Sequence, residues 1–169
     1  MSKTIINLRD IFTKGKFGEV QLGNTINEVI EILGEPVGIS NNEADPNDKY
    51  NVKFLTYDSY EFWFIKYFDS SKTYKLSAFQ NDSYSYKNTF EGYFEKEVII
   101  DTWIFKHGIT LKEMEKALQI EQLQYERYKK VETIYLEFEN KSKMLFEYSE
   151  HLNLLICVGW MFHPELHFN

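Results

Sequence analysis

One stretch of the chain predicts most of its fold: Gly18-Glu-Val-Gln-Leu-Gly-Asn-Thr-Ile-Asn-Glu-Val-Ile-Glu-Ile-Leu-Gly-Glu-Pro36. Thr25 is placed as a helix N-cap, whose hydroxyl can accept a hydrogen bond from a first-turn amide, and Glu28 can reach back to the cap amide. Gly34 and Pro36 end the helix, because glycine accepts a left-handed conformation and proline lacks an amide hydrogen. The stretch therefore predicts a helix of about nine residues with one apolar face, formed by Ile26, Val29, Ile30 and Leu33.

The same signature returns 85 residues later, in Gly108-Ile-Thr-Leu-Lys-Glu-Met-Glu-Lys-Ala-Leu118. Thr110 and Glu113 occupy the two capping-box positions, and the apolar spacing is kept. The glycine and proline that end the first helix have no counterpart here. We therefore predict a second helix of the same type that can run slightly longer.

Extended segments follow each of the two helices. Each has the alternation or the apolar run of a strand, and the gaps between them are short enough to require antiparallel neighbours. After the first helix these segments are 50–57, 60–68 and 74–80, and after the second they are 132–139, 143–149 and 152–161.

These elements predict an α+β fold made of two tandem units, each a helix plus a three-stranded antiparallel meander. The units are residues 1–90 and 91–169, related by an internal duplication. We expect them to form one compact structural unit with the helices packed on one face of the sheet, because each apolar helix face needs a sheet to cover it.

The segments between these elements give weaker signals. Residues 8–14 predict a short helix, 40–49 an exposed loop, 81–92 a polar connector between the two units, and 98–105 an extended segment. The loop contains Glu43, Asp45 and Asp48, but it lacks the glycine and the terminal glutamate of an EF-hand calcium loop.

Composition restricts the classes of partner. The net charge is −7, and the acidic excess is larger in residues 91–169 than in 1–90. Such a charge repels nucleic-acid backbones and would attract a basic protein. The chain has neither a signal-peptide core nor a run of transmembrane length, so we expect a cytoplasmic protein without a membrane partner. The single Cys157 cannot form an internal disulfide, and we expect it to be a buried apolar side chain.

Aromatic residues make up 17% of the chain, which favours a sheet-rich fold. Trp63, Trp103 and Trp160 each lie in an apolar run, so we expect them in the core, although they could also line a ligand pocket or an interface.

No motif in the chain predicts catalysis. There is no nucleophile elbow and no phosphate-binding loop. His163, Glu165 and His167 have the spacing of metal ligands on a helix, but Pro164 and the end of the sequence argue against a helix there, and we expect a frayed tail. We therefore predict a protein that is not an enzyme and that has no cofactor and no metal.

Lys16–Pro36 resembles the opening of small bacterial proteins, many of which are similar to immunity proteins of polymorphic or contact-dependent toxin systems. The predicted helix-plus-meander duplication also resembles, at fold level, the β-lactamase-inhibitor protein and small outer-membrane-assembly lipoproteins, which act by binding other proteins. These resemblances imply a non-enzymatic protein that binds a cognate bacterial toxin domain and blocks its active site.

The candidate partner-binding residues are those that project from the strand face opposite the predicted core: Tyr135, Glu137, Glu139 and Glu147. The acidic second half would suit a basic toxin such as a nuclease, because opposite charges speed association. Two alternatives stay open. One is a small-molecule-binding domain with an aromatic pocket under the Thr25 helix, and the other is a weak hydrolase that depends on a single carboxylate or histidine.

Overall fold

The computed structural model describes residues 3–42, 50–67, 72–81 and 88–164. Over these residues the chain forms helices α1 (Arg9–Lys14), α2 (Ile26–Leu33) and α3 (Leu111–Ile120). The strands are β1 (Thr4–Asn7), β2 (Lys16–Phe17), β3 (Val20–Gln21), β4 (Gly38–Asn42), β5 (Tyr50–Tyr57), β6 (Tyr60–Tyr67), β7 (Lys75–Asn81), β8 (Val98–Asp101), β9 (Tyr125–Lys130), β10 (Thr133–Phe138), β11 (Ser142–Ser149) and β12 (Leu154–Phe162).

Eight of the strands form one antiparallel sheet in the order β4-β5-β6-β7-β12-β11-β10-β9. Helix α2 precedes the first four of these strands in the chain, and α3 precedes the last four. The fold is therefore α+β with a large antiparallel sheet. Strands β1 and β8 form a separate parallel pair, and β2 and β3 form a short antiparallel pair.

The prediction of three strands after each helix is wrong, because each meander has a fourth strand. Strand β4 lies partly in the predicted loop 40–49, of which residues 43–49, with Glu43, Asp45 and Asp48, are outside the described part of the chain. Strand β9 was not predicted at all. Both are edge strands with few buried side chains, so neither shows the apolar alternation that marks the inner strands.

Both predicted capping boxes are confirmed. The Thr25 hydroxyl accepts a hydrogen bond from the Glu28 amide at 3.3 Å, and the Glu28 carboxylate accepts one from the Thr25 amide at 2.6 Å. In α3 the corresponding distances between Thr110 and Glu113 are 3.2 and 2.9 Å. Without the glycine-proline stop, α3 continues two residues beyond Leu118.

A single large core fills the space between the helices and one face of the sheet. Trp160 is 1% exposed, and its ring lies 5.8–6.4 Å from four aromatic rings of other elements. Cys157 is buried as expected, and burial raises the pKa of its thiol to about 12. All three helices contribute to this core, through Ile11, Phe12, Val29, Leu33, Leu111, Met114 and Leu118.

The two meanders meet along a short seam between β7 and β12. Three pairs form the seam: Trp160 with Asn81, Met161 with Gln80, and Phe162 with Phe79. Next to it the backbones approach so closely that a Cβ atom on Gly159 would lie 2.6 Å from the carbonyl oxygen of Asn81. The buried Asn88 amide donates to the Asn81 side chain and, at 3.1 Å, to the carbonyl of Val158. This small group of residues therefore joins the two halves of the sheet, in addition to the shared core and the β1–β8 pair.

Replacing Gly159 by alanine tests the seam. The new methyl group would collide with a backbone oxygen that cannot move without breaking the strand pairing, so we expect Gly159→Ala to lower the free energy of unfolding by about 2 kcal/mol or more. Gly38→Ala is the matched control, since its nearest heavy atom would be 3.9 Å away. Equal losses in the two variants, measured by urea unfolding, would contradict the steric argument.

The capping box of α3 predicts a pH dependence of stability. Hydrogen bonds from the Thr110 amide and from the Lys106 side chain lower the pKa of Glu113 to about 2, from 4.5. A depressed folded-state pKa adds stability above the unfolded value, and that stability is lost as the pH falls from about 4.5 towards 2. We expect the stability difference between the native chain and Glu113→Gln to shrink over that range. A difference that is constant from pH 6 to pH 2 would contradict this.

Candidate functional site

The face of the sheet away from the helices, which we call the open face, carries most of the candidate residues. Cross-strand pairing aligns Glu126, Glu137, Lys143 and Met161 in one row and Tyr128, Tyr135 and Leu145 in the next. Three of the four predicted residues, Tyr135, Glu137 and Glu147, lie on strands β10 and β11 of this face. Glu139 lies exposed in the turn after β10 rather than in the strand.

Two tyrosines form the aromatic centre of this region. The rings of Tyr128 and Tyr135 are stacked, with centroids 5.2 Å apart and an interplanar angle of 13°. Tyr135 also packs, with Met161, against a small apolar cluster that is separate from the main core and consists of Leu145, Ile156 and Val158. The open face therefore has an apolar floor beside its stacked tyrosines.

Glu137 is held in a network of neighbouring side chains. Its carboxylate accepts hydrogen bonds from Tyr128 at 3.1 Å and from Lys141 at 2.8 Å, and Lys143 lies 3.3 Å away. Burial favours a higher pKa for Glu137, but the Lys141 hydrogen bond and the Lys143 charge outweigh it and lower the pKa. The charge of Glu137 is thus balanced by two lysines within the protein, and its side chain is only 15% exposed.

A wide groove of about 350 Å³ lies at the end of the β9–β10 hairpin that is nearer the start of β9. It brings Glu137 and Glu139 together with Glu126, which sequence reasoning missed because β9 was not predicted. Glu126 stands directly opposite Glu137 in the ladder, and two like charges in such a pair are destabilising unless a cation lies close. Lys141 and Lys143 supply this cation. The described lining of the groove still has three carboxylates against one lysine, so it can accept a cationic group; it consists of Gln124, Tyr125, Glu126, Glu137, Phe138, Glu139 and Lys141.

Glu147 lies apart from this groove. Its carboxylate accepts a hydrogen bond from the Thr133 hydroxyl at 3.0 Å, and its Cα partner on β12 is Ile156. The stacked tyrosines lie between the groove and Glu147.

Charge on this part of the open face is nearly balanced. The strands and the turn after β10 carry four carboxylates and three lysines: Glu126, Glu137, Glu139, Glu147, Lys130, Lys141 and Lys143. The acidic excess of the second half of the chain is therefore not concentrated at the candidate residues.

The first-half portion of the open face carries a polar cluster around Trp63. The Trp63 indole and the Gln80 amide both donate to the Glu61 carboxylate at 3.1 Å, and the ring of Phe54 lies 5.0 Å from Trp63. The expectation that Trp63 packs in the core is therefore wrong, because it projects from the other face of β6. Trp160 and Trp103 do pack in or against the core.

His163 belongs to the same cluster and not to a frayed tail. Its Nε2 lies 3.0 Å from the Gln80 side-chain oxygen, and its ring packs against Trp63 at 4.9 Å. Burial, with the charge of Lys143, lowers the pKa of His163 to about 4, so the ring is neutral at pH 7. Glu165 and His167 lie outside the described residues.

A second groove, of about 240 Å³, lies beside the segment that leads into α2. The sequence predicts an aromatic ligand pocket at this place, but among the described residues that line the groove Tyr67 is the one aromatic side chain. These residues are Leu22, Gly23, Ile65, Tyr67, Lys75, Leu76 and Ser77.

Within the described ranges, no group of three or more His, Cys, Asp or Glu residues is arranged to hold a metal ion. No helix in that same part of the chain is both long and apolar enough to cross a membrane. Comparison of the chain with protein-family models, with curated proteins and with solved structures finds no match.

The network around Glu137 predicts different roles for two neighbouring glutamates. Glu137→Gln removes a charge that holds Lys141 and Lys143, so we expect it to lower the free energy of unfolding by about 1–2 kcal/mol. Glu139→Gln changes an exposed side chain and should stay within about 0.5 kcal/mol of the native chain. Chemical denaturation of both variants distinguishes them, and equal stabilities would contradict a structural role for Glu137.

Proposed function

We propose that this chain is a non-enzymatic immunity-type protein that binds a cognate bacterial toxin domain in the cytoplasm and blocks its active site with the open face. The observation that supports the proposal best is the stacked pair Tyr128 and Tyr135 beside an apolar floor and a charged rim. Protein interfaces are rich in tyrosine at their centre and polar at their edge, and a few aromatic residues supply most of the affinity.

The charged residues of the groove predict which kind of partner surface would cover it. Glu126 and Glu139 line the groove at one end of the β9–β10 hairpin, and Glu137 beside them is already balanced by lysines. A basic side chain of the toxin would fit this groove beside Lys141 and would meet Glu126 and Glu139. The partner would thus be basic where it covers the groove, without needing a high net positive charge.

We further propose that the two halves of the chain, 1–90 and 91–169, derive from an internal duplication. Both halves contain a helix that begins with a threonine–glutamate capping box and is followed by four strands of the sheet. From either edge of the sheet to the central pair β7 and β12, the four strands of each half follow one another in chain order.

The first test uses the polypeptide encoded directly upstream of this chain, purified as a folded domain, as the probe. We expect one-to-one binding and loss of the probe's toxicity. Tyr135→Ala should weaken binding about tenfold or more, because it removes the aromatic centre. Tyr93→Ala is the matched control, since Tyr93 is 68% exposed and lies outside the strands. No binding by the native chain, or equal losses in both variants, would contradict the proposal.

A charge-reversal pair tests the groove with the same probe. Glu139→Lys should weaken binding and slow association at low salt, whereas Glu31→Lys on the exposed side of α2 should have little effect. The small-molecule alternative makes the opposite prediction. A small molecule found by screening would raise the melting temperature of this chain without any protein partner, and Tyr135→Ala would leave that increase unchanged.

A further inference from the structure

The two edges of the eight-stranded sheet differ in their protection against pairing with another chain. Strands β4 and β9 form these edges, and the outer side of an edge strand presents a row of backbone N–H and C=O groups. Proteins prevent unwanted pairing there with charged side chains, proline or β-bulges. Four of the six side chains of β9 are charged, namely Glu126, Arg127, Lys129 and Lys130. The β9 edge is therefore protected by its own sequence.

Strand β4 has none of this protection. Its five residues, Gly-Ile-Ser-Asn-Asn, include no charged side chain and no proline, and its pairing with β5 is regular. Ile39, Ser40 and Asn41 are all exposed. Within the described ranges, no strand pairs with the outer side of β4. The alternating donors and acceptors along that side match one kind of protein surface, which is another extended chain.

Ile39 marks the place where the core of the free chain ends. It stands directly opposite Leu55 on β5, so its side chain projects to the same side of the sheet as the core. Leu55 is 0% exposed, whereas Ile39 is 59% exposed. Val37, just before β4, is 70% exposed. A further strand beside β4 would extend the core layer past Ile39 and remove this apolar surface from water.

The sequence of β4 is complementary to itself. In a symmetric antiparallel pair, facing residues project to the same side of the sheet, so one residue of each copy lies on the twofold axis opposite its counterpart. With Ile39 on the axis, the two isoleucine side chains meet, and Val37 of each copy faces Asn41 of the other. No charged side chain opposes another in this register. A basic partner, by contrast, would find no carboxylate along β4.

We propose that β4 pairs with β4 of a second copy of this chain, so that the two sheets join into one continuous sheet in a symmetric dimer. The twofold axis passes through the sheet at Ile39, so the helices of both copies lie on one side and both open faces lie on the other. Strand β9 is at the opposite edge from β4, so the two β9–β10 hairpins lie at the two ends of the joined sheet. The dimer therefore leaves both hairpins accessible, and it does not depend on the proposed function.

Electrostatics makes this dimer weak. Each copy carries a net charge of −7, so two copies repel one another, and the strand pair that joins them is short. We expect the dimer to become stronger as the salt concentration rises, because salt screens the repulsion between exposed charges. Partner binding through the charged groove has the opposite dependence on salt, because there opposite charges attract.

Sedimentation equilibrium of the chain alone, over a range of concentrations, tests the dimer. Ile39→Lys places two lysines opposite each other on the axis, so we expect it to weaken dimerisation about tenfold or more. Ile5→Lys is the matched control, since Ile5 is 67% exposed on β1 and the change in net charge is the same. It should leave the dissociation constant within about threefold of the native value. A native chain that stays monomeric, or equal losses in the two variants, would contradict the proposal.

A disulfide cross-link tests the register. Facing residues of antiparallel strands have Cα atoms about 4.5–5.5 Å apart, which is within the range of a disulfide bond. Oxidation should therefore link Ile39→Cys into a covalent dimer that a reducing agent separates. Val37→Cys is the matched control, because it is also exposed but faces Asn41 of the other copy, and it should stay unlinked. Cys157 is buried in both variants and does not compete. Equal cross-linking of the two variants would contradict the register.

Both measurements use this chain alone, so their outcome is separate from that of the proposed function. If the native chain dimerises and Ile39→Lys has no effect, the copies associate through another surface and the assignment to β4 is wrong. If the native chain is monomeric and Ile39→Lys weakens binding of the upstream-encoded domain, β4 pairs with a strand of that partner, and the dimer is again wrong. Dimerisation that Ile39→Lys weakens, together with a cross-link at Ile39→Cys alone, supports the dimer whether or not a toxin binds.

Discussion

The architecture depends on the close approach of β7 and β12. Among the described residues, three cross-strand residue pairs join the two four-stranded halves of the sheet, and Asn88 donates hydrogen bonds to both sides of the junction. Gly159 is required beside it, because any side chain would meet the backbone of Asn81. This contact converts two small sheets, each with an unpaired inner edge, into one sheet with a single core. Trp160, the residue that pairs with Asn81, is also at the centre of that core.

The main core lies on one side of the sheet, and the open face lies on the other. The helices and the chain segments between the halves cover one face, and buried tyrosines fasten those segments to it. The Tyr57 hydroxyl donates to the Gly34 carbonyl at 2.8 Å, and the Tyr60 hydroxyl donates to the carbonyl of Phe90. With the stabilising contacts concentrated there, residues of the open face are less constrained by folding than those of the core.

Sequence patterns predicted the parts of the fold that local chemistry or burial determines. The capping boxes placed α2 and α3, and apolar alternation placed the inner strands. Edge strands were missed because β4 and β9 bury little, and a pattern of burial is what reveals a strand. For the site, alternation placed Tyr135 and Glu137 on the open face correctly. Alternation could not show that Glu137 accepts a hydrogen bond from Tyr128 on β9, or that His163 packs against Trp63. These residues become neighbours only when separate segments of the chain pair in the sheet.

The β9–β10 hairpin combines two features that do not help the free protein. Glu126 faces Glu137 across the ladder, and Val131 occupies a left-handed turn position while exposed. The lysine partners of Glu137 offset the first feature, because Lys141 also attracts Glu126, whereas the side chain of Val131 is 84% exposed. Local rules that are broken without a compensating contact occur most often at functional sites. Because β9 is the outermost strand of the sheet, these residues do not disturb the packing of the core. A partner could contact both of them at the same time. The hairpin, rather than the row of glutamates alone, is therefore the part of the open face that the proposed partner would contact.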